Sequence, residues 1–271
     1  MRVTIAGILT DQTGRVLLRQ TDRQTLTPVT CSLEPGELPA EALARAFRET
    51  TGLYVLPVRL VGLYVTGGHT LTLTYRCALR GGELQPLPGQ PPAGFFDTSP
   101  LPRGLSAAHR RPLDDALRHA GGPPVSGHIP ITLGRRFYDL VRARQPEESG
   151  VEWDIGVKLV VNSGHGQVVW QRTDAGQPWR LPADRVAPGE APWEAAERLW
   201  RACCPHGAGN RLGLAPIEPL VAGDNITFVF LAGPYEPPFS QVSGETIGFM
   251  PPDPTQPNLD AADVALARLA L

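Results

Sequence analysis

Apolar and polar positions alternate from Arg2 to Thr10, which predicts a strand. Asp11-Gln12-Thr13-Gly14 reads as a turn, and Arg15 to Arg19 returns as a second strand to complete a hairpin. Gln20 to Thr30 is polar and broken by Pro28, so it is expected as a loop. From Leu33 to Gly52 the period changes. Ala42, Leu43, Ala44, Ala46 and Phe47 form an apolar stripe at helical spacing. Pro39 suits a first helical turn, Glu37 and Glu41 favour its positive N-terminal end, and Gly52 is a natural stop. Val58 to Val65 and Thr70 to Leu79 read as two strands joined at Gly67-Gly68, with a turn at Gly81-Gly82 and a Pro-rich loop from Pro86 to Pro92. Phe95-Phe96 starts a short strand, and Ser106 to His119 is expected as a helix.

The same pattern then returns. Trp153 to Asn162 reads as a strand, Gly164-His165-Gly166 as a turn and Gln167 to Arg172 as a returning strand. Pro188-Gly189-Glu190 echoes Pro35-Gly36-Glu37, and Val186 to Pro205 echoes Leu33 to Gly52. Ile226 to Leu231 matches the Thr-rich strand of the first half. A long internal repeat implies duplication of one α+β domain. The expected division is residues 1–122, a linker over 123–149, and residues 150–271. Within the linker, Leu133 to Arg144 predicts a short basic helix, read either as a solvated connector or as a docking element.

Composition narrows the function classes. A length of 271 residues allows two ordinary domains. The net charge of −2 argues against a general nucleic-acid binder, and no apolar run is long enough to span a bilayer. The N-terminus lacks a signal peptide's cleavage region. Adjacent Cys203 and Cys204 resist pairing, so these two, Cys31 and Cys77 are expected as free thiols, which places the chain in the cytoplasm.

The order of hairpin, Gly-Glu turn, helix, strands and late helix resembles the Nudix hydrolases, whose signature box is G-x5-E-x7-R-E-U-x-E-E-x-G-U, with U aliphatic. The resemblance covers nearly the whole chain, once per half. It implies two Nudix-fold domains, each a mixed sheet sandwiched between helices. It also implies a box that holds Mg²⁺ or Mn²⁺ on helix glutamates and acts on a nucleotide-like or other phosphorylated ligand, in chains that commonly form homodimers. In the first half Glu37, Arg45 and Glu49 match the box, with Gly52 and Leu53 closing it. Cys31, Ala46 and Thr50 depart from it. In the second half Glu190 and Arg198 match, whereas Leu199, Ala202 and Cys203 replace all three helix glutamates and Asp184 replaces the leading Gly.

The chemistry follows from the donor set. Mg²⁺ takes carboxylate oxygens, and the box clusters three of them on one helix face. The first copy keeps Glu49 and the second keeps none. Two readings stay open: a degenerate protein that binds a phosphorylated ligand or acts as a scaffold or regulator, and a hydrolase centred on Glu37, Arg45 and Glu49 with Glu49 on the metal. Glu49 with Arg45 also fits a plain helical ion pair. Glu245 stands where many family members place a further acid, and Trp179 either stacks a base or wedges between loop and sheet. Arg110-Arg111 and Arg135-Arg136 are basic pairs that either contact phosphates or lie on a solvated face.

Overall fold

A computed structural model describes residues 1–21, 25–85, 88–130, 151–163, 165–204, 211–215, 217, 219–234, 246–256 and 258–270. The chain is α+β and divides into two compact units, one of residues 1–153 with 221–224, the other of residues 154–220 with 225–271. The helix expected over Leu133 to Arg144 lies outside the described residues, as do Glu245 and Arg135-Arg136. None of the described helices is long and apolar enough to cross a membrane.

The first unit opens with β1 (Arg2–Leu9), β2 (Val16–Gln20), β3 (Leu26–Thr27) and β4 (Val29–Ser32), followed by α1 (Pro39–Thr51). It continues through β5 (Leu53–Thr66), β6 (Thr70–Gly82), β7 (Ala93–Phe96), α2 (Ala107–Arg118) and β8 (Val125–Ile129). The five-stranded sheet runs β4-β1-β6-β5-β8 and a smaller one runs β3-β2-β7. β1 lies parallel to β6 and antiparallel to β4. Val125–Ile129, placed in the linker by its Gly-Pro surroundings, is an edge strand parallel to Gly62–Thr66 of β5. The β1–β2 turn is fixed by Asp11, whose Oδ1 accepts the backbone N–H of Thr13 at 2.9 Å and of Arg15 at 3.0 Å.

Alternation along the strands sends side chains to two faces. On one face α1 buries Ala42, Leu43, Ala46 and Phe47. Gly7 is glycine because α1 comes so close: a Cβ there would stand 2.4 Å from the Phe47 ring. On the other face Ile8, Val16, Leu18 and Val61 pack with Leu113 and Ala116 of α2.

The second unit contains β9 (Asp154–Val161), β10 (Val168–Arg172), β11 (Ala183–Arg185), α3 (Pro192–Cys203), β12 (Arg211–Leu214), β14 (Asn225–Gly233), β15 (Thr246–Met250) and α4 (Ala261–Ala270), while β13 (Leu220–Ala222) falls across the division at residues 220 and 221. Its sheet runs β11-β9-β14-β12, and β10 pairs with β15. The pairings repeat those of the first unit. β9 is parallel to β14 as β1 is to β6, and antiparallel to β11 as β1 is to β4. Cys31 faces Ile5 across its ladder, and Asp184 faces Val157 across the equivalent one. The core of this unit is built on Val160, Val168, Trp170, Val229, Val264 and Ala267.

Candidate functional site

Each Gly-Glu turn with its helix brings the same two side chains together. Gly36 adopts φ 80° and Gly189 φ 80°, a left-handed conformation that suits glycine. The turn closes when the Glu37 N–H donates to the Glu34 carbonyl at 3.0 Å, and when the Glu190 N–H donates to the Ala187 carbonyl at 3.0 Å. Pro39 and Pro192 open α1 and α3, where their missing N–H costs nothing. At the far end of α1, Gly52 takes φ 74° and returns its N–H to the Arg48 carbonyl at 3.1 Å.

This geometry throws Glu37 back across the helix onto Arg45. Arg45 donates from Nε to Glu37 Oε1 and from Nη2 to Oε2, both at 2.9 Å. A two-pronged guanidinium–carboxylate clasp of this kind fixes orientation as well as charge. Glu49, the i+4 neighbour, stands farther off at 3.6 Å and is half exposed; Glu34 is at 3.8 Å and exposed. Arg45 is therefore the hub of three carboxylates, and the Glu37 bond foremost holds its charged form. Cys31 looks into the same group. Burial, partly offset by Arg45 and reinforced by Glu37 and Glu49, pushes its thiol up to about 12, so it stays protonated near neutrality.

The second copy repeats the clasp and tightens it. Arg198 donates from Nε to Glu190 Oε1 and from Nη2 to Oε2, both at 2.9 Å. Its Nη1 is bonded to Asp184, and its Nη2 also donates to the Arg185 carbonyl at 3.0 Å. Glu190 further accepts the Ala187 N–H at 2.8 Å. The Arg198 bond above all holds the Glu190 carboxyl below the usual carboxylate range.

The donor set does not fit Mg²⁺ or Mn²⁺ in either copy. In α1 both oxygens of Glu37 already serve Arg45, Ala46 is buried, and the Thr50 hydroxyl donates to the Ala46 carbonyl at 2.6 Å. That leaves Glu49 as one accessible carboxylate, where a hard cation needs several oxygens. In α3 the corresponding places are Leu199, Ala202 and the fully buried Cys203. Among the described residues no group of three or more His, Cys, Asp or Glu side chains is placed to hold a metal.

Trp179 is half-buried against the core of the second unit. The guanidinium of Arg172 lies over its ring, 4.4 Å from the centroid. Its backbone is tied at both groups, its N–H to the Asn258 carbonyl at 2.7 Å and its carbonyl to the Asp260 N–H at 2.9 Å. One ring face is thus covered by a cation.

Two contacts escaped sequence reasoning. Asp263 of α4, 1% exposed, is paired with Lys158 of β9 and accepts the Leu181 N–H at 3.0 Å, anchoring the segment that carries Trp179. Only the isolated acid in the alanine-rich stretch AADVALARLA signals it. The bond from Arg198 to Asp184 was signalled by an acid at the leading-Gly position.

No family model matches the chain. Over 95 residues it is 32% identical to an ADP-ribose pyrophosphatase of Methanocaldococcus jannaschii, a match covering 33% of this chain and 56% of that protein's length. The chain thus spans little more than half of that relative. Among solved structures, an ADP-ribose pyrophosphatase of Streptococcus suis is 18% identical, with a TM-score of 0.39 and coverage of 46% of this chain and 98% of the other. A MutT protein of Bacillus halodurans is 19% identical, with a TM-score of 0.43 and coverage of 49% and 92%. A Nudix hydrolase of Nitrosomonas europaea is 20% identical, with a TM-score of 0.40 and coverage of 48% and 79%.

Proposed function

We propose that the chain is a pair of Nudix-type units that binds a nucleotide-like or other phosphorylated ligand and hydrolyses it little or not at all. One observation carries the reading. In each unit the box arginine and the leading glutamate are closed on each other, Arg45 on Glu37 and Arg198 on Glu190, while the helix positions that would ligate metal are mostly apolar. The local identity to an ADP-ribose pyrophosphatase supports the family, and ADP-ribose is accordingly the first ligand to try. Without a metal, little remains to polarise a phosphate or to lower the pKa of an attacking water.

The test is turnover of ADP-ribose and of nucleoside diphosphate sugars with Mg²⁺ and with Mn²⁺, alongside a thermal-shift screen of the same compounds. Ligand-induced stabilisation without turnover is the expected result. Turnover at the ordinary enzyme scale of about 1 s⁻¹ or more, abolished by Glu49→Gln, would overturn the reading. A second reading is a hydrolase confined to the first unit. Its support is Glu49, which is half exposed and not consumed by the clasp. Calorimetric titration with Mn²⁺, with and without ADP-ribose, separates the two, because the hydrolase requires a bound metal.

A further inference from the structure

The Arg110-Arg111 pair lies outside the box geometry, and it lines a cavity. In the first unit a pocket of about 730 Å³ opens between α2, the loop at Thr98–Leu101 and the end of β8 at Ile129-Pro130. That volume falls in the range of small-molecule sites, roughly 300–1,000 Å³. Helical spacing selects one wall: Ala107, Arg110, Asp114 and Arg118 follow one another at three- and four-residue steps along one face of α2, and Arg111, four residues from Ala107, stands beside them. The opposite face of the helix buries Leu113 and Ala116 in the core.

The lining is cationic and apolar together. Arg110, Arg111 and Arg118 face a single acid, Asp114, while Pro100, Leu101 and Ile129 supply hydrocarbon. Arg118 is spoken for by Asp114 at 3.0 Å. Arg111 is positioned by a bond from Nη1 to the His128 carbonyl at 3.3 Å and by Asp115 at 3.6 Å, a carboxylate that also accepts the Tyr64 hydroxyl at 2.8 Å. Arg110 donates from Nη2 to the Pro102 carbonyl at 3.0 Å and has no carboxylate partner among the described residues. Two guanidinium groups are thus tethered through one or two of their five N–H donors and keep others for a guest. Tethering lowers the entropy lost on binding, and the planar fork matches a carboxylate or phosphate.

We propose that this pocket binds a small organic anion, a phosphate or carboxylate borne on an apolar body, with the head group on Arg110 and Arg111 and the body against Leu101 and Ile129. The site is separate from the Gly-Glu turn and needs no divalent ion, so it stands or falls independently of the proposed function.

Calorimetry on the full chain in EDTA tests it, with naphthyl phosphate, naphthoate, naphthol and inorganic phosphate as probes. The aryl phosphate or the aryl carboxylate should bind at least tenfold more tightly than naphthol and than inorganic phosphate. Arg110→Ala with Arg111→Ala should weaken that binding tenfold or more. Leu101→Trp, which fills the cavity without touching charge, should abolish it. A native melting transition in each variant establishes that the fold survives. The proposal is overturned if neither aryl anion binds at millimolar concentration. It is equally overturned if the folded variants bind as tightly as the natural chain.

Discussion

Replacing Lys158 by Met isolates one buried charge. Asp263 is 1% exposed, and its two oxygens have two partners, the Lys158 ammonium and the Leu181 N–H. Removing one partner of a buried pair costs about 3–5 kcal/mol, because the remaining charge is left uncompensated. Two features moderate that figure here. The Lys158 side chain is 26% exposed, so water reaches the site, and Asp263 keeps the Leu181 N–H. The expected loss for Lys158→Met is therefore about 2–3 kcal/mol, a large share of the ~5–15 kcal/mol that holds a typical domain. Adding Asp263→Asn removes the orphaned charge while leaving an acceptor for Leu181, so the double variant should recover more than half of the loss. Urea unfolding followed by tryptophan fluorescence is the assay. Trp170, Trp179, Trp193 and Trp200, four of the five tryptophans, lie in the second unit, so the signal reports the unit being perturbed. A shift in midpoint at constant slope converts directly into a stability difference. If Lys158→Met unfolds within about 0.5 kcal/mol of the natural chain, the ordinary range for surface changes, the pair does not anchor this unit. A double variant less stable than the single one would refute the uncompensated-charge argument.

Because Arg198 holds the Glu190 carboxyl low, that carboxylate contributes stability that is complete above the ordinary carboxylate range and lost as pH falls through the depressed value; urea midpoints taken from about pH 5 down to about pH 3 should therefore fall less steeply for Arg198→Leu than for the natural chain. Burial pushes the thiols of Cys31, Cys77 and Cys204 up to about 12, and Cys203 is fully buried, so a chromogenic disulfide reagent at neutral pH should react slowly with the native chain and with all four thiols after denaturation. Ala46→Glu with Thr50→Glu restores two helix carboxylates beside Glu49. This variant should melt lower than the natural chain in EDTA and regain about 2.7 kcal/mol in Mn²⁺ at a hundred times its dissociation constant, whereas the natural chain should show no such gain.

The parts of the fold that were legible are those whose signals are local. α1 announces itself through the stripe Ala42, Leu43, Ala46 and Phe47 between Pro39 and Gly52, and each of those residues does in three dimensions what its spacing predicts. The sequence pattern predicts β5 only from Val58, because Tyr54, Leu56 and Val58 are all exposed apolar residues, which blurs the alternation. The strand in fact begins at Leu53, since pairing with β6 continues past two irregularities to Gly82. β8 was hidden for the opposite reason: its composition is that of a connector, and only the open edge of β5 makes it a strand. In α4 the alanine-rich sequence carries little periodicity, and the meaning of Asp263 depends on Lys158, about a hundred residues away.

The site divides along the same line. Arg45 and Glu37 could be named from spacing, but the i+4 rule directs Arg45 toward Glu49 alone, whereas in the structure the close two-pronged contact goes to Glu37 and Glu49 keeps a longer pairing at 3.6 Å. The reason lies in the turn. Gly36 at φ 80° reverses the chain so that Glu37 lies over the second turn of the helix, where it offers both oxygens to the guanidinium fork; Glu49 offers one, at longer range. The second unit makes the same choice with no glutamate at the position of Glu49 at all, and adds Asp184 to the clasp. A clasp that forms identically with and without its helix carboxylates does not depend on them. The arginine and leading glutamate thus account for their own presence as the lock between turn and helix, and retaining them carries no implication that a metal is held.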